Sequence, residues 1–130
     1  MLREKHPRAE QVRQLLAMNG GNSSGSGIGC ISWDGAVYAD QFWRHVALGN
    51  VREQPFSQIW TDLSNPLMAK LKDKRPHLKG RCRTCRFIDL CAGNFRVRAE
   101  AATGDLWAPD PACYLSDEEI ALAGDTPDSV

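Results

Sequence analysis

The sequence predicts a small α+β domain made of a β-hairpin, short helices and a cysteine-rich knuckle built to bind metal. Three observations carry that expectation. Asp34-Gly35 lies between two short runs of strand character, residues 28–33 and 36–40, a strong hairpin signal. Helix start and stop signals recur along the chain but frame only short stretches. Four of the five cysteines are clustered as Cys82-x2-Cys85-x5-Cys91, followed after twenty-one residues by Cys113.

The elements follow in order. Residues 9–18 predict an amphipathic helix with Val12, Leu15 and Leu16 on one face, stopped by Asn19-Gly20-Gly21. Residues 20–29 are glycine-rich and read as a flexible connector. They lack a P-loop lysine and open no helix, so phosphate-loop and dinucleotide readings fail. Beyond the hairpin, residues 48–51 suggest a further short strand or turn. Pro55 opens a helical turn carrying Phe56, Ile59 and Trp60. Asn65-Pro66 starts a helix through Leu67, Met68 and Leu71 that ends before Pro76, because the asparagine caps and the proline suits a first turn. Residues 94–102 predict a helix broken at Gly104-Asp105, and residues 107–113, with Pro109 and Pro111, an extended loop. Ser116 and Glu119 form a capping box for a last short helix. The tail from Gly124 is polar. The expected division is a helix and connector over 1–19, the cysteine-bearing domain over 20–123 and a flexible tail over 124–130. Trp33, Trp43, Trp60 and Trp107 are read as core and loop anchors.

Sixteen Lys and Arg balance sixteen Asp and Glu, so no net field favours nucleic acid or an anionic membrane. No apolar run approaches the ~20 residues needed to cross a bilayer. The start, Met1-Leu2-Arg3-Glu4-Lys5-His6, is charged and lacks the apolar stretch of a secretory signal. A cytoplasmic location is the expectation. In a reducing compartment five cysteines are ligands before they are disulfides, and the odd count fits four ligands plus Cys30.

The x2 spacing lets one tight turn aim two thiolates at the same centre. The x5 step continues the wrap, and Cys113 closes it from another element. Thiolates suit both iron–sulfur clusters and zinc, and four of them complete either site. Structural zinc more often shows two short pairs, and the second pair is missing here. Spacing leaves both metals open. Lys79, Arg81, Arg83 and Arg86 would favour thiolates and offset an anionic centre.

The knuckle and its surroundings resemble the SPASM domain, the C-terminal extension of many radical S-adenosylmethionine enzymes. Three stretches narrow the likeness to NirJ-type proteins of haem d1 and alternative haem synthesis. They are Asn19-Gly-Gly-Asn-Ser-Ser-Gly; Ala39-Asp-Gln-Phe-Trp-Arg-His with Leu48-Gly-Asn-Val-Arg; and Gly80-Arg-Cys-Arg-Thr-Cys-Arg-Phe-Ile-Asp-Leu-Cys-Ala-Gly-Asn. Thr103-Gly-Asp-Leu-Trp-Ala and Asp110-Pro-Ala-Cys-Tyr-Leu fit as well. The resemblance implies one 4Fe–4S cluster on Cys82, Cys85, Cys91 and Cys113, used for electron transfer or substrate positioning beside a radical S-adenosylmethionine core. It implies a tetrapyrrole substrate for the complete enzyme.

Two departures from the family bear on function. Full SPASM domains hold two auxiliary clusters, but Phe95 and Asp40 stand where ligands of a second would fall. The catalytic CxxxCxxC motif is missing from these residues. The chain is therefore expected to be inactive alone, as a piece of a longer enzyme or a companion to a separate core; the charged start suits the former. A zinc-stapled binding module and a SPASM scaffold for peptide modification are the alternatives. Cys30 is read as a small buried hydrophobe and Asp40 as a hydrogen-bonding carboxylate at the hairpin end. His45, Arg44 and Arg52 are candidate propionate contacts or ordinary surface residues. His6 and His77 have no distinctive spacing.

Overall fold

A computed structural model describes residues 6–121. The first helix, α1 (Ala9–Asn19), ends where Gly20 turns left-handed at φ 70° and gives its N–H to the carbonyls of Leu16 and Ala17. None of its residues is buried, and Leu15 and Leu16 stand exposed. Of the predicted apolar face, Val12 is half-buried and the helix lies against residues Ile88–Cys91, while Leu15 and Leu16 remain uncovered among the described residues.

The hairpin forms as β1 (Cys30–Ile31) and β2 (Ala36–Tyr38), paired antiparallel with Cys30 opposite Tyr38. Its turn closes through Gly35 N–H to Ser32 O and Ser32 N–H to Ala36 O, with Gly35 at φ 88°. A side chain at Gly35 would also strike Asn50, so glycine is required twice over. The tentative strand after the hairpin is real: β3 (Gly49–Asn50) completes a three-stranded sheet in the order β1-β2-β3.

Helix α2 (Phe56–Thr61) follows Pro55, and α3 (Pro66–Lys72) follows Asn65, whose side chain accepts from the N–H groups of Leu67 and Met68. A 3-10 turn over Arg75–His77, absent from the sequence reading, leads to a second over Gly80–Thr84. Helices α4 (Ile88–Cys91), α5 (Arg96–Thr103) and α6 (Asp117–Ala121) complete the order. The capping box at α6 is reciprocal: Ser116 N–H donates to Glu119 Oε2 at 2.8 Å and Glu119 N–H to Ser116 Oγ at 3.2 Å. Residues 122–130, with the predicted tail, lie outside the described residues.

Ala39, Trp43 and Leu71 form the buried centre, packed by Leu48, Leu67, Val97, Leu106 and Trp107. Full burial of a side chain as large as Trp43 stabilises by about 3 kcal/mol. Trp43 is the buried anchor the sequence suggested, and Trp60 and Trp107 are half-buried. Trp33 departs from the expectation: it sits at the hairpin turn, 88% exposed, because a turn residue has no facing element to pack against.

The glycine-rich loop departs too. It is fastened rather than flexible. Gly25 N–H is within bonding distance of Ala39 O at 2.9 Å and Ile28 O at 3.0 Å, while Ser24 Oγ donates to Asp40 Oδ2 at 2.6 Å. At its start, Asn22 N–H donates to Cys91 O at 3.1 Å. The sequence signal of many glycines was read as mobility, but these glycines serve close backbone approach.

Candidate metal centre

The knuckle is laid out by tight turns. Cys82 lies in the 3-10 turn and Cys85 directly after it, with Cys85 N–H reaching Cys82 O at 3.4 Å. Cys91 ends α4, and Cys113 follows a turn in which its N–H donates to Asp110 O at 3.0 Å. Three long-range ties converge on this region: Lys79 N–H to Trp107 O, Arg86 N–H to Ile120 O, and Asn22 N–H to Cys91 O. They join the knuckle to the segment carrying Cys113, to α6 and to the glycine loop.

After Cys91 the chain takes three successive left-handed residues, Ala92 (φ 51°), Gly93 (φ 82°) and Asn94 (φ 56°). Such backbone is sparsely populated for alanine and is held only by its surroundings. Here it turns the N–H groups of Gly93 and Asn94 toward the Cys91 sulfur. Backbone donors of this kind stabilise a thiolate.

All five cysteines are free thiols. Four share one electrostatic neighbourhood. Burial pushes the Cys82 thiol up, Arg96 pulls it down, and Cys91, Cys85 and Cys113 each push it further up. Burial likewise raises Cys91, although that residue is exposed overall; the Gly93 N–H opposes, and Cys113 and Cys85 add to the rise. Thiols crowded in this way resist ionising together unless a cation neutralises them. Even so, no group of three or more histidine, cysteine or acidic side chains among the described residues is gathered tightly enough for a single metal ion.

Two buried nitrogens beside this cluster lack a partner among the described residues, Arg81 Nε and Arg96 Nε. Unmet donors next to soft anionic sulfur fit an acceptor such as an inorganic sulfide or a metal-bound thiolate. The donor set and its surroundings suit an iron–sulfur cluster.

The other nominated residues fall elsewhere. Cys30 is on β1, half-buried. Asp40 is 4% exposed and accepts from Ser24 Oγ, Phe42 N–H and Trp43 N–H, the hydrogen-bonding role expected of it. Arg44 donates to Ser32 Oγ, Arg52 to Trp33 O, and His45 Nε2 lies 2.9 Å from Glu100 Oε2. Each is engaged on the chain's own surface. His77 packs against Trp107.

Sequence reasoning missed Arg96, Lys74 and Asp110, all buried. It looked for positive charge next to the cysteines in sequence, whereas Arg96 acts on Cys82 from the next helix. One signal was available: Arg96-Val97-Arg98 sets two arginines in a short helix otherwise rich in alanine.

Fold and sequence together define a small cysteine-rich α+β domain. Residues 24–86 match the family model SPASM, described as an iron-sulfur cluster-binding domain, and that match includes Cys82 and Cys85. Over residues 24–86 the chain is therefore a SPASM-type iron–sulfur cluster-binding domain.

Relatives are found among curated proteins. An Fe-coproporphyrin III synthase of Methanosarcina barkeri is 63% identical over 92% of this chain. A pre-heme d1 synthase of Dinoroseobacter shibae is 43% identical over 88% of the chain, and an AdoMet-dependent heme synthase of M. barkeri 40% identical over 75%. The chain spans only 31%, 28% and 26% of those proteins' lengths. No solved structure matches it significantly. No helix among the described residues is long and apolar enough to cross a membrane.

Proposed function

We propose that this chain is the auxiliary cluster domain of a radical S-adenosylmethionine enzyme of tetrapyrrole biosynthesis. It holds one 4Fe–4S cluster on Cys82, Cys85, Cys91 and Cys113, in a reducing cytoplasm. The observation that carries the assignment is the pair of buried N–H groups, Arg81 Nε and Arg96 Nε, without partners among the described residues beside Cys82 and Cys91, whose thiols feel the charge of Cys85 and Cys113. Zinc is the weaker occupant. Structural zinc sites more often show two short ligand pairs, and here only Cys82-x2-Cys85 is such a pair.

A single cluster is favoured by what occupies the second position. Asp40 already accepts three hydrogen bonds, and Phe95 packs edge-on against Phe42 at 6.1 Å with the Arg98 guanidinium over its other side. Neither offers a free donor.

The radical-generating core belongs to a partner segment or subunit. All three relatives are named for tetrapyrrole synthesis, one as AdoMet-dependent. The substrate proposed for the complete enzyme is an iron-tetrapyrrole or its precursor, and the cluster passes an electron to or from the reacting substrate or helps position it.

Anaerobic reconstitution with iron and sulfide, followed by metal and sulfide analysis and an electronic spectrum, tests the reading. About four irons and four sulfides per chain, lost in alanine variants of Cys82, Cys85, Cys91 or Cys113 but kept in Cys30→Ala, is the expected result. The isolated chain is also expected to form no 5′-deoxyadenosine. One tightly held zinc without sulfide would overturn the cluster assignment.

A further inference from the structure

Arg96 is 0% exposed, the largest fully buried charged side chain among the described residues. Burying a guanidinium without a counter-charge is costly, because the lost hydration is not offset. Its hydrogen bonds do not remove that cost. Nη1 donates to Leu106 O at 3.0 Å and Ala108 O at 2.7 Å, and Nη2 donates to Gly93 O. All three acceptors are neutral carbonyls. They fix the plane of the guanidinium and leave Nε–H without an acceptor.

The anionic side chains whose charge reaches Arg96 fall into two groups. Asp110 and Asp105 are already committed, Asp110 to Nε and Nη2 of Arg98 at 2.7 Å each and Asp105 to Lys79 Nζ at 2.6 Å. The others are the thiolates of Cys82 and Cys91. A second buried cation, Lys74, lies close enough for its charge to oppose that of Arg96. This corner of the fold therefore holds excess buried positive charge, with Cys82 and Cys91 within reach of Arg96.

We infer that Arg96 is the charge partner of the cluster: its Nε–H donates to a cluster sulfide or ligand sulfur, and its charge sets the reduction potential high. The inference rests on the cluster assignment proposed above. A thiolate-ligated cubane is anionic and gains a further negative charge on reduction, so a fixed neighbouring cation stabilises the reduced form more. Hydrogen bonds to sulfur and local charge are established controls of such potentials. Arg81 is the natural comparison. Its Nε is also unpartnered, but its Nη2 pairs with Asp117 at 3.1 Å and Asp117 is largely solvent-exposed, so its charge is already offset and screened.

The test is a redox titration of the reconstituted chain, reduced with dithionite and followed by the EPR signal of the reduced cluster. Arg96→Gln is expected to lower the potential, Arg96→Lys to recover part of the loss, and Arg81→Gln to change it less. An unchanged potential in Arg96→Gln with a full cluster, or an equal fall in Arg81→Gln, overturns the inference. Should Arg96→Gln not fold, pulsed EPR on the wild-type cluster with 15N-arginine decides. A coupled arginine nitrogen that survives in Arg81→Lys supports Arg96; no coupling, or its loss in Arg81→Lys, refutes it. A wild-type chain that takes up no cluster would instead remove the proposed function itself.

Discussion

Gly20 and Gly21 offer a matched pair of perturbations that isolates how the glycine loop holds the metal centre. Both have φ 70°. Alanine at either site carries the left-handed penalty of about 1 kcal/mol. Their surroundings differ completely. A Cβ on Gly20 meets nothing within 4 Å, whereas one on Gly21 would lie 2.4 Å from both C and O of Cys91 and 2.8 Å from Leu90 O. Those are backbone atoms and cannot swing aside as a side-chain tip could. The Cys91 carbonyl is held by the N–H groups of Asn22 and Asn94, both at 3.1 Å. Forcing such a contact apart adds an overpacking cost of about 1–3 kcal/mol.

Gly20→Ala is thus expected to lose about 1 kcal/mol and Gly21→Ala about 2–4 kcal/mol. At this chain length the difference corresponds to a melting temperature lower by about 4–12 °C. Thermal unfolding of the two variants by circular dichroism measures it directly. The second readout is cluster loss to a chelator, because the displaced atoms belong to a proposed ligand residue. Gly21→Ala should lose iron faster than wild type and Gly20→Ala at the wild-type rate. Equal melting temperatures and equal iron loss would refute the argument that the loop is pressed onto Cys91.

Three further outcomes are expected. Burial, with smaller contributions from Arg96 and Lys72, lowers Lys74 from its usual 10.5 to about 8. The fold disfavours its charged form, so the cluster-free chain carries a penalty of about 3 kcal/mol below pH 8 that fades as pH rises toward 10.5; the urea midpoint of wild type relative to Lys74→Met should rise from pH 7 to 9.5, a difference in which the opposing effect of the raised Cys82 and Cys91 thiols cancels. Asp110 is buried, which raises its carboxyl, but Arg98 and the N–H groups of Ala112 and Phe95 outweigh that and lower it overall. A depressed carboxyl stabilises fully above about pH 4 and loses its contribution as pH falls through the folded value; Asp110→Asn should cost about 2 kcal/mol at pH 7 and flatten the acid limb of a stability-against-pH curve. Asp40→Ala removes the acceptor shared by Ser24, Phe42 and Trp43, at a cost of about 3 kcal/mol, and faster hydrogen exchange at Gly25 would report the released loop.

Local rules made part of this fold legible. Asp34-Gly35, Asn65-Pro66, Gly104 and the Ser116–Glu119 box each act within four residues of chain, and each marks an element boundary in the structure. Spacing and the family resemblance both nominated Cys82, Cys85, Cys91 and Cys113, and the charges of Cys85 and Cys113 reach both Cys82 and Cys91 in the structure. The loop over residues 20–29 was misread because its constraint comes from Ala39, Asp40 and Cys91, which sequence distance hides. Trp33 was misread for the reverse reason: its type predicts burial, but the turn offers it no neighbour.

The buried charges were the least legible feature, and they show why the centre and the fold depend on each other. Asp40, Lys74, Arg96 and Asp110 are each no more than 5% exposed in a chain whose helices are short. Asp40 and Asp110 are satisfied locally, by hydroxyl and N–H donors and by Arg98. Lys74 reaches only Asn22 O at 3.3 Å, and Arg96 reaches only carbonyls. An interior with two cations lacking an anionic side chain of their own among the described residues is under electrostatic load, while the Cys82 and Cys91 thiols are pushed up, mainly by burial, and resist ionisation. An anionic cluster bound there would relieve both at once: it would convert the thiols to ligated thiolates and supply the negative charge that Arg96 lacks. On this argument cluster loading stabilises the fold beyond simple cross-linking, and the gain should shrink when Arg96 is replaced by a neutral residue.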